Sequence, residues 1–184
     1  MRARTTQPPE LRVGEARDRY LAENGFTLDG YTAPTFRIRV LGLTWTLPNW
    51  PSRRRVVPFH DLHHVVTGYG TDLVGEAETS AWELRCGGLN SFFLWCFKLG
   101  AVTLGLLLAP SRVVRSFRRA RGQRNLYGDP RPYEAILALP LDELRAGLGV
   151  PEDGLADRPS RLHSLKPLPA SQRRPTMPRG RGSR

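Results

Sequence analysis

The longest apolar segment of the chain, Leu89 to Ala109, contains a single charged side chain, that of Lys98. A helix of 21 residues can just cross the hydrocarbon core of a bilayer. A lysine near the middle, however, opposes insertion by about 2.5–3.5 kcal/mol. The segment therefore predicts either a helix buried at the centre of a domain or a helix that lies on a membrane surface.

Arginines dominate the sequence that follows this apolar segment. They are Arg112, Arg115, Arg118, Arg119, Arg121 and Arg124. Because they are interleaved with Val113, Val114 and Phe117, the stretch has the composition of an amphipathic helix that contacts anionic headgroups. A solvated helix face explains the same pattern equally well. The stretch therefore leaves two interpretations open, an anionic membrane surface as a partner and an ordinary exposed helix.

Apolar periodicity predicts the remaining secondary structure. Helical spacing marks residues 9–24, 58–67, 73–86 and 133–149. After the first of these, Phe36, Ile38 and Val40 alternate with arginines, as in a half-buried strand. The alternation changes parity near Gly42, which predicts a bulge or a turn there and a short β-ribbon or an extended arm. The predicted fold class is therefore mainly α, a single helical domain with a short β-ribbon near the N-terminus.

Length and charge distribution predict where this domain begins and ends. A chain of 184 residues suits one domain with a substantial core. Eight Lys and Arg residues and no acid lie between Arg158 and Arg184, in a proline- and serine-rich context that is typical of disorder. We predict a flexible N-terminus at 1–8, a helical metal-binding domain at 9–150 and a disordered basic C-terminal tail at 151–184. Because aromatic residues are absent from Arg158 onward, we do not expect nucleic acid as a partner.

The cysteines and the N-terminus bear on the compartment. Cys86 and Cys96 are ten residues apart among apolar or small residues and match no metal-binding or redox motif. We expect both to be buried free thiols in a reducing compartment, with a disulfide as the alternative. The first residues lack the apolar region of a secretory signal. Together these features predict a cytoplasmic protein.

A histidine cluster is the feature that points to chemistry. Three of the four histidines lie between His60 and His64. On a helix, His60 and His64 are about 40° apart on one face, and Asp61 is near enough to lean toward the same point. Glu76, twelve residues after His64, would have to approach from the next helix. Two imidazoles and two carboxylates form a ligand set that suits zinc or another divalent first-row metal.

The alternative to a metal site is an ordinary solvated helix face. The cluster interrupts the apolar residues that run from Val56 to Val66. Histidines placed there must be neutral and hydrogen-bonded or bound to a metal, because burial of an unpaired polar group costs about 1–3 kcal/mol. Glu83 is seven residues after Glu76 and shares its helix face. We interpret Glu83 either as a partner that supports a metal ligand or as an exposed acid.

The spacing of these residues resembles a known signature. His60-Asp61-x-x-His64, followed by eleven residues and Glu76, is similar to the His-Asp-x-x-His-x(11)-Glu motif of the coenzyme Q biosynthesis protein 4 family. Other similar positions are Gly68, Gly75, Trp82, Glu83, the pair Tyr133-Glu134 and the segment from Leu141 to Val150. The resemblance covers Val56 to Val150, about half of the chain, and does not extend to the N-terminal third or the basic tail.

This resemblance implies a helical protein of ubiquinone biosynthesis that is attached peripherally to the inner face of the membrane. It implies that His60, Asp61, His64 and Glu76 are the metal-binding and catalytic residues, with zinc as the expected ion. His63 has no counterpart in the motif, and we expect it to support a ligand or to pack. The implied reaction is the oxidative decarboxylation, at ring carbon 1, of a polyprenylated hydroxybenzoate-type precursor.

A non-catalytic role is the alternative that the same resemblance implies. In it the chain is a lipid-binding scaffold that organises quinone-biosynthesis enzymes at the membrane. Expected partners are the polyprenylated lipid, an anionic membrane surface, those enzymes and further copies of the chain. A closed site of four ligands would favour structural use of the metal, whereas an open coordination position would favour catalysis. A metal hydrolase is a third hypothesis, weakened because no additional cluster of His and Asp residues completes a two-metal site.

Overall fold

The computed structural model describes residues 11–40, 43–87 and 92–157. Within these ranges the chain is mainly helical, with eight helices and one two-stranded antiparallel ribbon. The elements are α1 (Val13–Asn24), α2 (Asp29–Thr32), β1 (Thr35–Val40), β2 (Leu43–Pro48), α3 (Pro51–Thr67), α4 (Leu73–Cys86), α5 (Phe92–Leu108), α6 (Pro110–Arg119), α7 (Tyr133–Leu137) and α8 (Leu141–Leu148). The predicted fold class is confirmed.

Two apolar clusters hold the helices together. The larger joins α1, α3, α7 and α8 around fully buried side chains such as Leu62 and Ile136. It also includes Trp82 of α4, whose Nε1 donates a hydrogen bond to the Gln123 side chain at 2.6 Å. The smaller cluster joins α4 to α5 and α6 through Ala77, Ala81 and Val113. Helix α4 therefore contributes to both apolar clusters and connects them.

Helix α3 begins seven residues earlier than the sequence pattern predicted. We expected Pro58 in the first turn, but Pro51 takes that position and Pro58 lies inside the helix. Proline is compatible with a first turn because its missing N–H has no intrahelical partner there. At the other end, the buried guanidinium of Arg145 donates to the carbonyl oxygens of Val65 and Val66. This pairing satisfies carbonyls that the end of the helix leaves without intrahelical partners.

Two other predicted helix boundaries were wrong because backbone pairing intervenes. Helix α1 was expected from residue 9, but its first residue is Val13, whose N–H donates to the carbonyl of Leu139 at 2.9 Å. In return, the N–H of Leu141 donates to the carbonyl of Leu11 at 2.9 Å. This pairing holds Arg12 in an extended bridge opposite Pro140, and the helix begins at the next residue. Pro140 then divides the predicted last helix into α7 and α8, since a residue before proline avoids the helical conformation.

Helix α5 carries the apolar segment, although residues 89–91 of the predicted helix lie outside the described ranges. Its one charged side chain, Lys98, is buried, whereas Phe92 and Leu107 are 78% and 79% exposed. Cys96 is a free thiol, but it is exposed, contrary to prediction. Among the described residues, none of the helices has the length and apolarity needed to cross a bilayer.

The ribbon pairs β1 with β2 in register from Thr35 opposite Pro48 to Val40 opposite Leu43. Trp45 of β2 is 55% exposed and Leu43 is 62% exposed. The β-ribbon was predicted and is present, whereas the expected turn near Gly42 lies outside the described residues. The ribbon therefore adds a second exposed apolar surface to that of α5.

The C-terminal end of the packed domain lies beyond the predicted boundary at residue 150. Leu155 is buried in the main core, and its N–H donates to the carbonyl of Thr67 at 2.7 Å. Asp157 forms ion pairs with Arg115 and Arg119 of α6. Residues 151–157 are thus packed on the end of α3 and on α6. The flexible N-terminus predicted at 1–8 and the rest of the predicted tail, residues 158–184, lie outside the described ranges.

Candidate metal centre

Helices α3 and α4 bring three of the four predicted site residues together. The Nε2 atoms of His60 and His64 are 3.3 Å apart. The carboxylate of Glu76 is 3.3 Å from the first of these atoms and 3.5 Å from the second. Glu76 lies in the first turn of α4, where the side chain of Asp72 caps the helix by accepting from two backbone N–H groups. The predicted approach of Glu76 from the next helix is confirmed.

A hydrogen bond at Nδ1 of His64 determines that its other ring nitrogen, Nε2, faces Glu76. Nδ1 of His64 lies 3.1 Å from the carbonyl oxygen of Tyr69, which can only accept a hydrogen bond. Nδ1 must therefore carry the proton, and in the neutral ring Nε2 presents its lone pair toward Glu76. Tyr20 stacks on the same ring, with 5.7 Å between centroids. These contacts hold His64 in the orientation of a metal ligand.

His60 is oriented in the same way by a different acceptor. Its Nδ1 lies 2.8 Å from a carboxylate oxygen of Glu83, so Nδ1 carries a proton. The lone pairs of the neutral His60 and His64 rings would therefore point at each other across 3.3 Å. Two lone pairs at that distance repel unless a proton or a metal ion lies between them. The geometry requires a positive charge at the point where Glu76 also converges.

The donor separations match a divalent metal. Donor atoms bound at 2.0–2.1 Å to a tetrahedral zinc lie about 3.3 Å from one another. The Nε2 atoms of His60 and His64 are 3.3 Å apart, Oε2 of Glu76 is 3.3 Å from the first, and Oε1 of Glu76 is 3.5 Å from the second. Two histidines and one glutamate are also a ligand set found in catalytic zinc sites, which keep one position open. These three residues could therefore hold a metal ion, with one carboxylate oxygen of Glu76 near each histidine.

The site is open on one side. The side chain of Glu76 is 37% exposed and that of His60 is 19% exposed, while His64 is fully buried. The three donors are therefore connected to the protein surface through Glu76 and, to a smaller extent, through His60. A buried site with four protein donors would lack this connection.

The charges around the site support one positive charge among the three donors. Burial opposes protonation of His60, but the negative charge of Glu83 and the hydrogen bond with Glu76 outweigh it and raise the pKa of His60 to about 9. The pKa of Glu76 is likewise held far below its usual range, because the histidines favour its charged form more strongly than burial opposes it. A proton and a metal ion would thus compete for the same place.

Glu83 is the centre of a second, fully buried cluster. One of its oxygens accepts hydrogen bonds from His60, from Nδ1 of His63 at 2.6 Å and from the hydroxyl of Tyr127 at 2.6 Å. Its other oxygen pairs with the ammonium of Lys98. Glu83 is therefore a partner that supports a candidate ligand, as one of the two interpretations of the sequence held, and not an exposed acid.

His63 lies close to His60 and Glu83 but has no lone pair for a metal. Its Nε2 accepts the backbone N–H of Leu126 at 2.9 Å, and its Nδ1 donates to Glu83. Burial lowers the pKa of His63 to about 4, so the ring remains neutral. Although His60, His63 and Glu83 are close enough to surround an ion, Lys98 already supplies the positive charge there. We therefore place the candidate metal at His60, His64 and Glu76.

Asp61 is near this centre but belongs to neither group of close donors among the described residues. Its carboxylate accepts a hydrogen bond from the hydroxyl of Tyr31 in α2 at 2.7 Å. Burial raises the pKa of Asp61, although the nearby histidines favour its charged form. The structure thus brings together three of the four predicted ligands and holds the fourth beside them.

Three residues of the site were not predicted as such. The sequence marks Lys98 only as a charge in an apolar segment. A buried lysine needs an acidic partner, but the sequence does not show which acid it is. Tyr31 and Tyr127 lie outside the periodic segments that define the site helices, and nothing in their local sequence marks them. Their roles depend on long-range contacts.

Comparisons of the chain with protein-family models, with curated proteins and with solved structures gave no match. The similarity to the coenzyme Q biosynthesis protein 4 family therefore rests on the signature residues quoted above.

Proposed function

We propose that the chain is a metal-dependent enzyme of ubiquinone biosynthesis, with zinc held by His60, His64 and Glu76. One observation carries this proposal. Two imidazole nitrogens, each with its other nitrogen held by an acceptor, lie 3.3 Å apart and within 3.5 Å of the carboxylate of Glu76, which is partly exposed. An open three-donor site favours catalysis over a purely structural ion. The resemblance of the signature supplies the pathway.

The proposed substrate is a polyprenylated hydroxybenzoate-type ring, and the reaction is oxidative decarboxylation at carbon 1. The carboxyl group leaves as carbon dioxide, a hydroxyl group takes its place, and two electrons pass to an oxidant. With dioxygen as the oxidant and water as co-reactant, the products balance as the hydroxylated ring, carbon dioxide and hydrogen peroxide.

The residues of the chain have separate tasks in this proposal. A bound divalent metal would supply Lewis acidity toward a carboxylate or phenolate oxygen of the ring. Tyr69 and Glu83 fix the orientation of the two histidines. Asp61, whose carboxylate accepts a hydrogen bond from Tyr31, would hold a proton near the ring. The exposed apolar surface of α5 would receive the prenyl chain, at about 0.8 kcal/mol for each buried CH₂ group.

A substitution of Glu76 tests the enzymatic role. In cells that depend on this chain for quinone, Glu76→Gln is expected to accumulate the prenylated precursor that still carries its carboxyl group, as measured by mass spectrometry of lipid extracts. Glu143→Gln, at an exposed position on α8, serves as the matched control. Normal quinone levels with a folded Glu76→Gln protein would overturn the enzymatic proposal and favour a scaffold.

The proposed location is the inner, cytoplasmic face of an anionic membrane, with α5 and α6 in contact with the lipid. Leu107 of α5 and Phe117 of α6 are exposed, and so are the arginines next to Phe117 along α6, Arg115, Arg118 and Arg119. Part of this positive charge is used within the protein, since Arg112 pairs with Glu78, and Arg115 and Arg119 pair with Asp157. The remaining charge and the apolar side chains are the combination that anionic bilayers attract.

Flotation with liposomes tests this location. The protein is expected to float with anionic vesicles at low salt and to dissociate at high salt, since each arginine near the surface contributes about 1 kcal/mol and salt screens it. Vesicles of neutral lipid are the control. A protein that remains unbound with anionic vesicles at low salt would contradict membrane docking, and one that resists both high salt and carbonate would contradict peripheral attachment.

A non-catalytic scaffold is the second candidate, and the extent of the exposed apolar surface favours it. Besides α5, the ribbon exposes Leu43 and Trp45. Such surfaces are typical of protein or lipid interaction sites. Other quinone-biosynthesis enzymes, or further copies of the chain, are the partners that this candidate proposes. Pull-down of pathway enzymes by the Glu76→Gln protein, together with normal quinone levels, would favour the scaffold.

A further inference from the structure

We infer that Glu83 and Lys98 are a positioning pair that holds His60 in its metal-binding orientation. This inference rests on the metal centre proposed above and assigns a role to residues outside the three donors. Glu83 contacts His60 at the ring nitrogen opposite the proposed metal, with 2.8 Å between Oε1 and Nδ1. A carboxylate in that place fixes the tautomer of a histidine ligand and increases the basicity of its free nitrogen.

A backbone N–H, which can only donate, determines the direction of the hydrogen bond between His63 and Glu83. The backbone N–H of Leu126 donates to Nε2 of His63, so the single proton of that neutral ring is on Nδ1 and points at Glu83. The same oxygen of Glu83 accepts from His60 and from Tyr127. Three donors on one oxygen, with no exposure to water, require Glu83 to be ionised and rigidly placed.

Lys98 makes a buried, ionised Glu83 possible. Its ammonium pairs with the other carboxylate oxygen and lies 3.4 Å from Nδ1 of His60. A carboxylate without a counter-charge in the protein interior would take up a proton and lose its strength as an acceptor. Lys98 is the only charged residue between Phe92 and Leu108, and its ion pair joins the apolar helix α5 to the site. Lys98, although a charge in an apolar segment is unfavourable, therefore keeps Glu83 ionised.

The ion pair between Glu78 and Arg112 provides a matched comparison. Glu78 also lies on α4 and is buried, and it pairs with a cation on the neighbouring helix α6 through two hydrogen bonds of 3.0 and 2.6 Å. None of its hydrogen bonds involves a histidine of the site. Removing this pair therefore disturbs a similar buried ion pair on the same helix without touching His60.

The test compares zinc affinity in two double variants. Glu83→Gln with Lys98→Met removes both charges of the positioning pair and leaves no unpaired buried ion. Zinc affinity, measured by competition with a chelator, is expected to fall by about 10–100-fold, the usual loss for a partner of a ligating histidine. Glu78→Gln with Arg112→Met should bind zinc within about twofold of the unchanged chain. Cobalt(II) in place of zinc should show an altered visible absorption band only in the first variant, a signature that a loss of stability alone does not produce.

Single substitutions keep the test decisive if the double variant fails to fold. Glu83→Asp retains the charge but withdraws the carboxylate from His60 by the length of one CH₂ group, and it should also weaken zinc binding and shift the cobalt band. A folded variant at Glu83 that binds zinc as tightly as the unchanged chain, with the same cobalt spectrum, would overturn the positioning role. If the unchanged chain binds neither ion, the metal centre itself is wrong, and the role assigned to Glu83 and Lys98 is wrong with it.

Discussion

Replacement of His64 by alanine is expected to abolish stoichiometric zinc binding. His64 is fully buried, and its Nε2 is one of three converging donors. Loss of a group that only supports a metal ligand costs about 10–100-fold in affinity, so loss of a ligand itself should cost more than about 100-fold. Elemental analysis of protein purified without chelator should give close to one zinc per unchanged chain and far less than one per His64→Ala chain.

The control for this experiment is the histidine outside the cluster. His163→Ala removes an imidazole from the basic segment beyond the described residues and should leave the zinc content unchanged. Equal zinc in the His64→Ala and unchanged proteins would contradict the assignment of the centre. A loss of zinc in His163→Ala alone would place the ion elsewhere in the chain.

The zinc affinity should also depend on pH with a definite sign. Because the pKa of His60 is raised to about 9, its ring holds a proton at neutral pH in the metal-free protein, and zinc must displace that proton. Below this pKa, each unit of acidification should therefore weaken zinc binding by about tenfold. Titrations between about pH 6 and 8 would detect the slope. An affinity that does not change over this range would contradict proton competition at His60.

Replacement of Gly75 by alanine is expected to damage both the fold and the site. A Cβ atom at this position would lie 2.2 Å from the carbonyl oxygen of Gly70 and 2.8 Å from its Cα, and backbone atoms cannot rotate away. The loop that would have to move includes Tyr69, whose carbonyl holds His64, and the helix that would have to move carries Glu76. Overpacking of this kind costs about 3 kcal/mol, and zinc affinity should fall as well.

Thermal unfolding measures the effect of Gly75→Ala. For a chain of this size, a loss of about 3 kcal/mol corresponds to a decrease in Tm of about 6–12 °C. Gly147→Ala is the matched control, because a Cβ atom there meets nothing within 4 Å. Since alanine is favoured over glycine inside a helix, this control should be stabilised by up to about 1 kcal/mol. An unchanged Tm in Gly75→Ala would contradict the tight packing of α4 against the loop.

The sequence determined those parts of the site that depend on geometry within one helix. The spacing of His60 and His64 places them on one face of α3 whatever surrounds them, and Asp72 caps α4 through its own backbone neighbours. The same local rules predicted the mainly helical fold class and the β-ribbon. They failed at the start of α3, because both Pro51 and Pro58 are compatible with a first turn.

Only the tertiary structure decided how the predicted donors are used. Asp61 was predicted to bind the metal with the histidines, and that remains a prediction. In the structure its carboxylate accepts a hydrogen bond from Tyr31 of another helix. Which nitrogen His60 presents depends on Glu83, and the charge of Glu83 depends on Lys98. These contacts join residues 15 to 38 positions apart. Periodicity shows which face of a helix a residue occupies. Tertiary packing determines which side chain of another helix becomes its hydrogen-bond or ion-pair partner.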